Sequence, residues 1–82
     1  MWYVYILECS DGTLYTGITT DLDKRLKTHN NGKGAKYTRV RLPVVLRDSF
    51  ETADRSSASK EEYRIKQLTR KEKLKLINDE IR

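Results

Sequence analysis

The sequence predicts an α+β fold: a small three-stranded antiparallel sheet flanked by about three helices, in the order ββαβαα. Three observations lead there. Residues 2–8 and 13–19 are short runs rich in aromatic and β-branched side chains, separated by Ser10, Asp11 and Gly12. Two later stretches repeat apolar residues at helical spacing, one behind Asp54 and one behind Thr69. Finally, 82 residues suffice for one domain, spanning 1–82, with only a modest core.

The first strand is apolar on both alternating faces, as expected of a central strand covered twice. Gly12 can take the positive φ that a tight hairpin turn needs. With an odd number of residues in that turn, positions of equal parity face the same side, so Tyr3, Tyr5, Tyr15 and Gly17 share one face. A helix follows, with Thr20 as its cap and Asp23 three residues on in the manner of a capping box. Leu22 and Leu26 form its apolar stripe, and Asn30, Asn31 and Gly32 end it. Arg25 and His29 lie four apart and are therefore neighbours on one helix face. Residues 32–42 read as a basic, glycine-containing loop closed by Pro43, and 44–50 as the third strand. Asp54 caps a second helix reaching about residue 68. Thr69 caps a third, from 70 to about 78, with Leu74 and Ile77 turned to the core.

Composition narrows the function. Hydrophobic residues make up 37% and charged residues 35%, which excludes a membrane-embedded or disordered chain. The apolar N-terminal run is too short for a signal peptide or span and lacks a basic lead. Cys9 is the single cysteine, so no internal disulfide forms, which suits the cytoplasm. The net charge of +5 favours an anionic partner. It is concentrated: residues 21–47 carry eight Lys or Arg against two Asp, and residues 55–75 carry eight against three Glu. Two basic blocks suit a nucleic-acid backbone. Within the first, Lys33, Lys36 and Arg39 are candidate phosphate contacts, and Tyr37 is a candidate platform for a base. The lysine-rich last helix reads as a solvated face.

Phosphodiester hydrolysis needs a positioned water, a proton acceptor, a cation for the developing phosphate charge and help for the leaving oxygen. The chain has no paired carboxylates, zinc spacing, P-loop or serine triad. It offers tyrosines on a hairpin, an Arg/His pair on the next helix and a glutamate on a later one. A free tyrosine, with a pKa of about 10, is a poor base at neutral pH unless a cation favours its ionised form.

Tyr3-Val4-Tyr5, followed ten residues on by Tyr15-Thr16-Gly17, resembles the paired motif of the GIY-YIG nucleases. The segment from Thr20 to His29 carries the arginine of that family at Arg25. Residues 32–39 and 62–68 resemble its short, stand-alone bacterial branch. Tyr3 replaces the usual first glycine, and the later asparagine of the family has no clear counterpart, Asn78 lying near the end. The resemblance implies a divalent-metal-dependent endonuclease acting on nucleic acid, DNA first, in repair or recombination. It implies that Tyr15 positions or activates water, with Tyr5 in support. Arg25 would stabilise the pentavalent phosphate, and His29 would assist proton transfer or contact the phosphate. Glu62 would hold Mg2+ or Mn2+, and Gly17 would leave room for substrate. The residues alone favour Glu61 over Glu62 for the centre of the helix's apolar stripe, so only the resemblance selects Glu62. A monomer is expected. Two other classes fit the same charge, a non-catalytic nucleic-acid-binding module and a protein-interaction domain using the basic face, although a pure binder has no need of Tyr15 with Arg25.

Overall fold

A computed structural model describes residues 1–81. Strands β1 (Trp2–Glu8), β2 (Leu14–Thr19) and β3 (Val45–Thr52) form an antiparallel sheet in the order β2-β1-β3. Helix α1 (Leu22–Asn30) and a single turn, α2 (Lys36–Arg39), lie between β2 and β3, and α3 (Arg55–Lys66) and α4 (Arg70–Ile81) follow. The expected order ββαβαα holds, with α2 added inside the segment expected to be loop.

The sheet has two different faces because β1 is central and alternates. Val4 and Ile6 point to one side, where Leu14, Ala58, Ile65 and Ile77 join them beneath α3 and α4. Tyr5 and Leu7 point to the other, with Cys9 and Val44, against Tyr15, Leu22 and Leu26. The five residues from Cys9 to Thr13 make the hairpin connection odd, and Tyr5 pairs directly with Gly17 and Leu7 with Tyr15. Tyr3, Tyr5, Tyr15 and Gly17 therefore share a face, as their parity requires. A register shift between Ile6 and Leu7 bulges β3 near Arg47, whose guanidinium pairs with Glu8.

Local differences from the sequence reading have local causes. The cap of α1 is Asp21, whose carboxylate accepts from Lys24 N at 3.1 Å. The Thr19 hydroxyl accepts from Asp21 N at 3.1 Å and brings Asp21 rather than Thr20 to the helix start. Gly32, at φ 78, ends α1 as expected. Strand β3 starts one residue later and runs two residues further than expected. Asp54 caps α3 through Ser57 N at 2.8 Å. Thr69 and Glu72 exchange both bonds of a capping box, so α4 starts at Arg70 as read, and it runs to Ile81. Among the described residues no helix is long and apolar enough to cross a membrane.

Candidate active site

The centre of the site is the Tyr5 hydroxyl. It lies 2.9 Å from His29 Nε2 and accepts from Arg25 Nε at 3.3 Å. The four-residue spacing on α1 makes this convergence possible, because Arg25 and His29 leave the helix on the same side, one turn apart. His29 and Tyr5 are almost wholly buried, at 0% and 2% exposure, so their polar atoms must find partners inside the protein.

The partners define a direction. The Thr38 hydroxyl donates to Ala35 O at 3.0 Å, which leaves its oxygen to accept from His29 Nδ1 at 2.8 Å. The proton of the neutral ring therefore sits on Nδ1, Nε2 is an acceptor, and Tyr5 donates to it. Burial, helped by the Arg25 charge, holds the His29 pKa below its usual value and keeps the ring neutral. The single turn α2 thus has a task. It carries Thr38 to the back of His29, and this explains why the expected loop is ordered there.

Two glycines make room for this chain. A Cβ on Gly17 would come within 2.4 Å of the Tyr5 hydroxyl oxygen, and one on Gly34 within 2.3 Å of His29 Nδ1. The space expected at Gly17 for substrate is taken by the Tyr5 ring, so Gly17 seats Tyr5. Gly34 likewise seats His29.

Tyr15 is held by its ring. It meets His29 edge-on, with centroids 5.4 Å apart, and stacks on Tyr37 at 5.9 Å. The Arg41 guanidinium lies 4.0 Å from the centre of the Tyr37 ring, donates to Tyr37 O at 2.9 Å and pairs with Asp11 at 3.1 Å. Tyr37 is therefore engaged by Tyr15 and Arg41, while it remains 38% exposed. Lys33, Lys36 and Arg39 are exposed on the same loop and turn.

Burial raises the pKa of both Tyr5 and Tyr15; Arg25 opposes the rise and the Glu62 charge adds to it. Glu62 therefore acts on both hydroxyls from α3. Glu61 sits elsewhere, pairing with Arg64 at 2.8 Å in a groove shared with Phe50 and Leu76. The two glutamates flank the apolar stripe of α3 on opposite sides, and only Glu62 is on the tyrosine side. Among the described residues no three His, Cys, Asp or Glu side chains cluster as a closed metal cage. Glu62 could still hold a hard divalent cation, since Mg2+ commonly takes one or two carboxylates and completes its shell with water and phosphate oxygens. The protein cation now nearest Glu62 is Lys66, at 3.2 Å, a residue the sequence reading placed in no site. Its i, i+4 spacing from Glu62 was the available signal. A groove of about 250 Å³ is lined by Arg25 together with Thr20, Asp21, Lys24 and Thr28.

Comparisons with known proteins concern the chain as a whole. The model of the GIY-YIG catalytic domain matches residues 1–75. A UPF0213 protein of Streptococcus agalactiae is 59% identical over 75 residues, covering 92% of this chain and 85% of that protein. A UPF0213 protein of Halobacterium salinarum is 56% identical over 73 residues, covering 89% and 95%. The solution NMR structure of a UPF0213 protein from Bacillus halodurans superposes with a TM-score of 0.61 at 49% identity, covering 95% of this chain and 84% of that one. A protein structure from E. faecalis does so with a TM-score of 0.63 at 41% identity, covering 98% and 86%. From Tyr5 on the central strand to the last helix, this chain belongs to the GIY-YIG catalytic-domain family.

Proposed function

We propose that this protein is a metal-dependent endonuclease that hydrolyses phosphodiester bonds of nucleic acid, DNA first, in repair or recombination. The observation that carries the proposal is the Tyr5 hydroxyl fixed between Arg25 Nε and His29 Nε2. A water attacking phosphorus must lose a proton. Tyr5 points its own proton at His29, which leaves its oxygen able to take one from water while Nε2 receives the phenolic proton. The resulting imidazolium keeps its Nδ1–H on Thr38. Burial and Arg25 disfavour that charge in the free protein, and a bound phosphate supplies the negative charge that offsets both.

The hydrogen-bond chain favours Tyr5 for the leading role that the family resemblance implied for Tyr15. Tyr15 then orients the water from the other side of His29. Arg25 spends one N–H on Tyr5 and has the rest of its planar fork for the phosphate oxygens. Glu62 would hold the divalent cation, Mg2+ or Mn2+. When bound, that ion cancels the carboxylate charge that pushes both tyrosines up and stabilises the charge developing on phosphate. Lys33, Lys36 and Arg39 would contact flanking phosphates, with Gly17 serving indirectly through Tyr5. We place the protein in the cytoplasm as a monomer.

The test is a nicking assay on supercoiled and branched DNA with Mg2+ or Mn2+, beside Arg25→Ala. Metal-dependent nicking by the parent and none by the variant is the expected result. DNA binding without nicking under any divalent ion would overturn catalysis and leave a binding module.

A further inference from the structure

Helix α3 turns different sides to different tasks. Ala58 and Ile65 are buried against the sheet, and Glu62 flanks that stripe on the tyrosine side. The next side of the helix is lined by Arg55, Ser56, Ser59, Lys60 and Tyr63, which together form a groove of about 680 Å³. Successive helical residues are about 100° apart, so Tyr63 follows Glu62 around the axis by that angle, with Ser59 between them. Ser59 precedes Glu62 by one turn and Tyr63 by one turn, and is a neighbour of both. The groove is thus continuous around α3 with the side that carries Glu62.

Tyr63 is 69% exposed, and among the described residues its ring stacks on no other. Tyr37, by contrast, is already engaged by Tyr15 and Arg41. Cations stand on both sides of Tyr63. Arg55 and Lys60 bracket it around the axis and are about 7.5 Å apart along it. Neither joins an ion pair among the described residues, and no carboxylate lines the groove. The Asp54 carboxylate feels the Lys60 charge, but it is spent on Ser57 N at 2.8 Å. Arg55 is steadied at its end of the groove by the Trp2 ring, whose centre lies 5.8 Å from the guanidinium carbon. Two cations around a bare ring match a nucleic-acid backbone whose base is free to stack. An acidic peptide would satisfy the cations and leave the ring unused. A duplex would also leave it unused, because its bases are already stacked on one another.

We propose that this side of α3 is a subsite for single-stranded nucleic acid, in which a base stacks on Tyr63 while Arg55 and Lys60 hold the phosphates beside it. This rests on the nucleic-acid reading of the site but not on cleavage. It narrows the substrate to one with a single-stranded segment next to the scissile bond, as at a flap or a branch.

The test is fluorescence anisotropy of the full chain in EDTA, so that no cutting is required, with labelled oligothymidine, an abasic strand of the same length and a duplex. The parent should bind oligothymidine more tightly than the abasic strand. Tyr63→Ala should weaken oligothymidine binding about 5- to 100-fold, the usual worth of one stacked base, and leave the abasic strand and the duplex at parental affinity. Tyr63→Phe keeps the ring and should bind as the parent does. Arg55→Ala/Lys60→Ala should lower the slope of log K against log salt for oligothymidine by about 1.4, the loss of two neutralised phosphates at about 0.7 each. Lys71→Ala/Lys75→Ala removes the same charge from α4 and should leave that slope unchanged. Thermal melts show whether each variant is folded. Parental oligothymidine binding by Tyr63→Ala would overturn the subsite, as would equal weakening on all three probes or by both double variants. If the parent binds none of the probes, the nucleic-acid reading fails and the subsite with it. Nicking by a protein whose oligothymidine binding ignores Tyr63 sinks the subsite and spares the nuclease.

Discussion

The two faces of the sheet are built by opposite rules. Under α3 and α4, Val4, Ile6, Ala58, Ile65 and Ile77 are all 0% exposed and offer each other only apolar surface. Under α1 and α2, Tyr5, His29 and Thr38 are as deeply buried and are joined by directed hydrogen bonds. One strand supplies both, since Val4 and Ile6 alternate with Tyr5 and Leu7. The apolar face needs only shape, so many sequences satisfy it. The polar face needs every donor matched to an acceptor, because an unmatched buried group costs free energy. Stability should therefore rest mainly on the first face and chemistry on the second, and substitutions can separate them.

The largest stability effect should come from the apolar face. Ile65→Ala removes a wholly buried side chain at the centre of the α3 packing and should cost about 2–5 kcal/mol in chemical denaturation. In a domain of 82 residues this is a large fraction of the total. Cleavage per folded molecule should stay near parental. A loss of cleavage beyond the unfolded fraction would show that the two faces are coupled.

Arg25→Ala should do the reverse. It removes the donor to Tyr5 and the group offered to phosphate, so cleavage should fall about 10²–10³-fold. The melting temperature should move little, because Arg25 is half-exposed. Tyr5→Phe should match this loss, and the double variant should be hardly worse than the single ones, as expected of groups acting together. If Tyr15→Phe abolishes cutting while Tyr5→Phe spares it, the leading tyrosine has been misassigned.

Thr38→Val tests the back of the polar chain. Losing the hydroxyl leaves Nδ1–H buried without its acceptor, which should cost about 1–3 kcal/mol. The ring can escape by moving its proton to Nε2, but Tyr5 then loses its acceptor. Cleavage should fall with stability, and Thr38→Ser should restore both. A stable, active Thr38→Val would show that His29 is oriented by something else.

The contrast also explains what the sequence shows. Strand parity put Tyr5, Tyr15 and Gly17 on one face, and helix spacing put Arg25 beside His29, because both depend only on local geometry. Asp54 and Thr69 were legible as caps for the same reason. What the sequence does not show depends on contacts between distant segments. Thr38 in a glycine-containing basic stretch gives no sign that it will meet His29. Tyr37 looks free until Tyr15 and Arg41 engage it. Gly17 is expected to leave room for substrate until the Tyr5 ring opposite it is known, and nothing in the sequence shows that Gly34 makes room for His29. Helical spacing favoured Glu61 over Glu62 for the centre of the apolar stripe, but the neighbouring strands decide what each side meets, and Glu61 faces Phe50 and Arg64 while Glu62 faces the tyrosines.

The smallest expected effect is a pH dependence that belongs to the polar face alone. His29 has its pKa lowered in the fold, first by burial and then by Arg25. The unfolded chain, where histidine titrates near about 6.5, binds this proton more readily than the folded one. Between the depressed folded value and that unfolded value, folding releases a proton, so stability rises with pH. Above the window both states are neutral and the dependence ends. The slope within it cannot exceed about 1.4 kcal/mol per pH unit for one group. Urea unfolding of the parent should therefore show stability falling as pH drops below the unfolded value, and His29→Asn should lack that portion of the slope. Cleavage should fall over the same acid range, since a protonated Nε2 cannot accept from Tyr5. If the parent and His29→Asn lose stability in parallel on acidification, the buried ring is not the titrating group. The neutral tautomer assigned from Thr38 would then lose its thermodynamic support.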